Sequence, residues 1–136
     1  MSDYIVDTHT LFIVDDDTDE MQITCPAQYE YTQKRQRIVY TMCVEDEEIE
    51  TAITVSGGAV EIKRSSGIVA DLHLRAGETV ADKYIADFGT MDIEYTAEKI
   101  ENSLVECGGT LLMLYSMSIG GATTRNAVTV TVRRKD

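Results

Sequence analysis

A guanidinium set among aliphatic side chains is the most chemically loaded feature of this 136-residue chain. Arg64 follows Val60 and Ile62 at period two, so a strand through this segment carries all three on one face. If that face is interior, an isolated Arg64 would cost several kcal/mol, and it must meet water, a carboxylate or an anionic ligand. Asp82 shares the parity of Tyr84 and is a candidate internal partner. Tyr40, Tyr84, Tyr95 and Tyr115 also fall on inward sets, and each phenol needs a hydrogen-bond partner once buried. Arg64, Asp82 and these four tyrosines around an apolar interior make up a pocket for a small anionic or amphipathic molecule. The competing arrangement is an interior filled by the same tyrosines and by Met42, Met91, Met113 and Met117, in a structural or protein-interaction module without a ligand.

Other chemistry is sparse. Asp15, Asp17 and Asp19 resemble the start of a calcium loop, but the sixth position is Glu20 where glycine is required and the twelfth is Pro26 where a bidentate glutamate is required. A solvated turn is expected there, and no metal. His73 shares a parity with Val69, Asp71 and Arg75, opposite Leu72 and Leu74, and is expected to face solvent; His9 shares a parity with Ile5, Leu11 and Ile13 and is a candidate core histidine. Cys25, Cys43 and Cys107 are odd in number and widely spaced, which predicts reduced structural thiols and neither a disulfide framework nor a zinc site. No nucleophile elbow, P-loop, dinucleotide fingerprint or H-E-x-x-H occurs, and Ser65-Ser66-Gly67 reads as a hairpin turn. No catalytic residue or cofactor is expected; an enzyme would need a site assembled from dispersed residues.

Twenty-four acidic against twelve basic residues give a formal charge of −12, a field that repels phosphate backbones and anionic lipid headgroups. Neither nucleic acid nor a membrane is an expected partner. The basic clusters Lys34, Arg35, Arg37 and Arg133, Arg134, Lys135 lack interleaved aromatics and read as solvated strand ends. The longest apolar run, Leu111 to Tyr115, is too short to span a bilayer, and Met1 to Thr10 has no basic stretch, so a cytoplasmic protein is expected. Length and a 43% hydrophobic content are those of one domain over residues 1–136.

The elements that must position these residues are strands. Period-two alternation dominates, broken by glycines or by clusters of charge. Strands are predicted at about Tyr4 to Val14, Glu20 to Gln33, Arg37 to Val44, Ile49 to Ser56, Val60 to Arg64 and Ile68 to Leu74. Further strands are predicted at about Ala81 to Asp87, Thr90 to Ala97, Thr110 to Ile119 and Thr123 to Arg133, with a loop or helical turn through Asn102. Asp15 to Asp19 and Glu45 to Glu48 are charged turns, and Gly57-Gly58 and Gly120-Gly121 are tight hairpins. Pro26 cannot donate a ladder hydrogen bond, which predicts an edge or a bulge near Cys25. In an interaction module the partner is another protein reached through that edge, or a second copy in a homodimer. About ten short strands with tight turns predict an antiparallel up-and-down barrel, since closure removes the edges of so wide a sheet; a two-sheet sandwich is the alternative.

The segment from Ala52 to Thr96 resembles the YwiB-like family of small bacterial proteins, and the resemblance extends through both flanks. It is carried by Val55-Ser56-Gly57-Gly58-Ala59-Val60, Lys63-Arg64 followed by Gly67, Ala76-Gly77 before a strand, Tyr84 ahead of Phe88-Gly89, and Thr96 and Tyr115. These are turn glycines and barrel residues. The resemblance implies a calycin-like, lipocalin-like barrel in a bacterial cytoplasm, and supplies no catalytic residue.

Overall fold

A computed structural model describes residues 4–14, 16–44, 46–64, 72–86, 89–119 and 121–134, with backbone alone at 42–44, 47, 64, 84–86 and 119. The alternating segments form ten strands: β1 Tyr4–Val14, β2 Asp17–Tyr31, β3 Arg35–Val44, β4 Glu47–Ser56, β5 Ala59–Arg64, β6 Leu72–Arg75, β7 Thr79–Ala86, β8 Gly89–Asn102, β9 Gly109–Ile119 and β10 Ala122–Arg134. They make one antiparallel sheet in the order β6-β5-β4-β3-β2-β1-β10-β9-β8-β7, nearly closed into a barrel, so the predicted barrel stands and the sandwich does not. The first and last strands pair in the middle of the sheet, from Tyr4 opposite Arg134 to Ile13 opposite Arg125. The seam therefore falls between β6 and β7. Ala76 bridges to Ala97 of β8, and the Tyr95 hydroxyl accepts the backbone N–H of His73 at 2.9 Å.

One parity of each strand forms the core. Val6, Ile38, Ile53, Val55, Val60, Leu74, Ile93, Leu111, Met113, Val130 and Val132 are all buried. Each such aliphatic side chain contributes about 1.5–3 kcal/mol by leaving water. Of the inward sets predicted for β3, β4 and β5, Ile38, Tyr40, Thr51, Ile53, Val55, Val60 and Ile62 are buried and Ile49 is half-buried, while the side chains of Met42, Val44 and Arg64 lie outside those described. In β1 the inward set is even-numbered: Val6 and Thr8 are buried, opposite Val132 and Val130. The expectation of a core His9 is thus overturned, because His9 lies on the outer face, where Nε2 meets Glu20 at 2.7 Å. His73 is exposed as expected, its Nδ1 3.3 Å from Glu61.

The charged turns are tighter than the sequence suggests. Asp17 and Asp19 already stand in the β2 ladder opposite Val14 and Phe12, which spaces their carboxylates along a strand instead of around a loop; Asp15 lies outside the described residues. The β3–β4 turn is equally short, with Asp46 in the left-handed region at φ 67°. Gly57 and Gly58, at φ 56° and 81°, supply the positive angles a two-residue hairpin needs. Pro26 sits in an internal strand, but β3 pairs only with Ala27 to Tyr31, so the β3 side of β2 is unpaired where the proline falls. Ser65 to Asp71, including the expected turn, lie outside the described residues.

β8 runs on to Asn102, past the predicted end at Ala97, through an irregularity between Ala97 and Lys99. This bulge shifts the parity by one, so Ile100 faces Met113 on the inward side. Below it, Leu104 is buried and the turn at Val105–Gly108 closes the lower end of the barrel. Cys107 in that turn is exposed and Cys25 is buried, so of these two the latter has the packing expected of a structural thiol; the Cys43 side chain lies outside those described.

Tyr29 fastens this lower closure. Its hydroxyl donates to the Val105 carbonyl at 2.7 Å, and its ring meets Tyr4 edge-on at 5.3 Å. Burial, reinforced by the neighbouring phenols Tyr31 and Tyr4, pushes its pKa up to about 12. The folded pKa is above the unfolded one, so this contribution is fully present below the unfolded value of about 10 and is lost as pH rises towards 12. Alkaline titration of stability by urea melts should show a decline across pH 10–12 that is shallower in Tyr29→Phe; equal slopes would rule out this role.

Candidate functional site

Register and burial place the six predicted site residues in three groups. Tyr40, Thr51 and Arg64 form one cross-strand row through β3, β4 and β5. Arg64 keeps the alternation of Val60 and Ile62, and its side chain lies outside those described. Tyr95 and Tyr115 stand on adjacent strands on the other side of the seam, with Tyr95 opposite Met117 and Tyr115 opposite Ala97. Asp82 and Tyr84 follow on β7, and the Tyr84 side chain is also outside those described.

The row at Tyr40 marks a change of character inside the barrel. Beneath it, Ile38, Ile53, Ile62 and Leu72 form a wholly apolar row, and the row below joins Val55, Val60 and Leu74 to the buried Gln36. These rows belong to a packed core. At the Tyr40 row a hydroxyl enters. Thr51 is 1% exposed, and its Oγ1 is the buried side-chain oxygen or nitrogen among the described residues that has no hydrogen-bond partner. Burying a hydroxyl unpaired costs on the order of 1–3 kcal/mol. Toward the upper end the inward positions are only partly buried: Phe12, Ile23, Ile49, Met91, Tyr115 and Met117 are intermediate, and Met21 is 47% exposed. The upper interior is therefore a mixed mouth, in which Phe12, Met91 and Met117 stand beside the inward polar residues Thr8, Thr10, Thr124 and Asn126.

The tyrosines divide between structure and mouth. Tyr95 is 1% exposed and its hydroxyl is engaged at the seam, whereas Tyr40 is buried and Tyr115 half-buried. Asp82 keeps the inward parity of Val80 but is exposed, and its carboxylate accepts its neighbour's N–H from Lys83 at 2.8 Å. The strand carrying Asp82 lies across the seam from β5, so the register does not bring it to Arg64. Thr51 was legible as an inward position between Ile49 and Ile53; what sequence could not show is that its hydroxyl stays unpaired.

The lower end offers a second concavity of about 480 Å³, lined by Tyr31, Lys34, Gln36, Ile100, Asn102 and Leu104 among others. Its amides bind one another: Asn102 Nδ2 donates to Gln36 Oε1 at 2.9 Å, Gln36 Nε2 donates to the Thr32 carbonyl at 2.6 Å, and Leu104 N–H donates to Asn102 Oδ1 at 3.0 Å. This network serves closure. Among the described residues, no group of three or more His, Cys, Asp or Glu side chains could hold a metal ion.

A meandering antiparallel sheet of ten strands, nearly closed around one core, defines the chain as a small β-barrel protein. It belongs to the family described as Domain of unknown function (DUF1934), whose model matches residues 6–129. It is 23% identical over 114 residues to the "Uncharacterized beta-barrel protein YwiB" of Bacillus subtilis (strain 168), an overlap covering 82% of this chain and 80% of that protein. The crystal structure of the ywiB protein from Bacillus subtilis superposes with a TM-score of 0.85 at 19% identity, over 98% of this chain and 92% of the other. At that identity the likeness is one of fold.

Proposed function

We propose that the barrel is a non-enzymatic receptor for a small anionic or amphipathic molecule, held in the upper interior with its polar end at the Tyr40–Thr51–Arg64 row. The observation that carries this reading is the unpartnered Thr51 hydroxyl in register with Arg64. A ligand oxygen there would accept from Thr51 and from the guanidinium, while the apolar body lies against Phe12, Met91, Tyr115 and Met117. Tyr95 frames the far wall in this reading, and Asp82 stays at the rim. Asp7, His9, Glu30, Arg37 and Glu61 on outward positions favour an aqueous setting, and the reading places the protein in the cytoplasm.

Thr51→Val separates structure from function. It removes an unsatisfied hydroxyl at nearly constant volume, and we expect it to raise stability by about 1 kcal/mol. In a thermal-shift panel of fatty and aromatic acids, the wild-type chain should be stabilised by at least one compound, and Arg64→Ala and Thr51→Val should both lose that shift. A shift that survives in Arg64→Ala would remove the proposed role. A second reading, an interaction module, is favoured by exposed Ile13, Val14 and Met21 around the β1–β2 hairpin. Light scattering that finds a dimer, dissolved by Met21→Asp, would support it.

A further inference from the structure

The outer wall carries an arrangement that the interior site does not use. Arg35, Ser56, Ala59 and Arg75 form one outward row across β3 to β6. The two long cationic side chains stand at its ends and two short residues lie between them. Adjacent-strand spacing puts the ends roughly 14 Å apart, so guanidiniums reaching inward from both can meet over Ser56 and Ala59. The row forms part of a cleft of about 540 Å³ that is also bounded by Thr54, Glu61, His73, Glu78 and Thr79.

The charges of this cleft are unevenly satisfied. Glu61 is held by Lys63 and His73, each at 3.3 Å, and Glu78 by Arg75 Nε at 3.0 Å. Arg75 also donates to the Gly57 carbonyl at 3.4 Å. The Arg35 guanidinium has no hydrogen bond or ion pair among the described residues, in a chain with twice as many acidic as basic side chains. The hydroxyls of Thr54 and Ser56 likewise have no side-chain partner there.

We propose that this cleft is a second binding site, for a phosphoryl group carried by a small molecule. A guanidinium fork matches two phosphoryl oxygens at once, and the third oxygen is left for a hydroxyl such as that of Ser56 or for the second arginine. A carboxylate, with two oxygens, would satisfy one fork and leave the other donors idle. The site is open to solvent, so its affinity falls as salt rises.

Amide shifts of the full chain, titrated at constant ionic strength with inorganic phosphate and separately with glycerol 3-phosphate, test this site. We expect saturable shifts centred on Ser56, Ala59 and Arg75, weakened about tenfold or more in Arg35→Ala and in Arg75→Ala, with Lys99→Ala unchanged. Tighter binding of the ester than of phosphate supports a phosphorylated metabolite as the occupant, and equal binding supports phosphate itself. Shifts spread over all basic residues, no saturation, or unchanged binding in both arginine variants would overturn the proposal. Arg64→Ala should leave this titration intact, which keeps failure here distinct from failure of the interior site.

Discussion

Gly109→Ala is expected to destabilise the barrel by about 3–5 kcal/mol, a large part of the roughly 5–15 kcal/mol that holds a domain folded. Gly109 has φ 132°, a conformation that L side chains rarely adopt. A methyl group there would collide with the Ser103 carbonyl oxygen and stand 3.0 Å from Leu104 Cα. Both obstacles are backbone, and Ser103 N–H is itself tied to the Thr110 carbonyl at 2.8 Å, so the loop cannot retreat without opening the lower closure. Gly108→Ala should behave alike, because its methyl would strike the Val132 carbonyl oxygen of β10. Gly57→Ala is the control: its φ of 56° strains an alanine, but nothing lies within 4 Å of the added carbon, and about 1 kcal/mol is expected. Thermal melts should separate the variants, with a fall in Tm of about 10 °C or more for Gly109 and a few degrees for Gly57. Equal shifts would show that the lower loop yields easily.

Tyr95→Ala should cost about 3–5 kcal/mol, as expected for deleting a buried aromatic side chain. Tyr95 is the largest fully buried side chain and sits where the sheet fails to close on itself. Its hydroxyl takes the N–H that β6 presents to the seam, a donor that a completed ladder would have paired. The Tyr95→Phe variant isolates that bond: the ring still fills the core, and a loss of about 1 kcal/mol is expected. Hydrogen exchange gives the sharper reading. The His73 amide should lose protection in Tyr95→Phe while the β3–β4 ladder keeps it. Unchanged exchange at His73 would mean that the Tyr95 hydroxyl does not hold the seam, which would then rest on the backbone bonds from Gly77 N–H to the Ala97 carbonyl and from Ala97 N–H to the Glu78 carbonyl.

Much of this architecture can be read from alternation and turn chemistry, because β3, β4 and β5 put most of their aliphatic residues on one parity, with Arg64 and Glu47 the charged exceptions on it. β1 resists such reading. Ile5, Val6, Leu11, Phe12, Ile13 and Val14 are apolar on both parities, so only the partner strand decides which set is buried, and His9 falls outward. The bulge after Ala97 misleads in another way: shifting the inward set from Tyr95 and Ala97 to Ile100 breaks period two and places Ile100 and Leu104 four apart, which imitates a helix. The like charges of Asp17 and Asp19 did not keep these residues out of the ladder, where they stand exposed opposite Val14 and Phe12. For the candidate site, parity alone brings Tyr40, Thr51 and Arg64 to one face. That they share a row, and that Arg35 and Arg75 stand at the two ends of another row with Ser56 and Ala59 between them, depend on strand register, which no local pattern encodes.

Native mass spectrometry of the chain, purified gently from its host and compared with Arg64→Ala, tests the receptor reading most directly. The account predicts a stoichiometric small-molecule adduct on the wild-type chain, acidic in character and missing from the variant. A bare mass for both proteins, with no compound shifting the wild-type melt, would contradict it and leave a filled barrel whose partner is another protein.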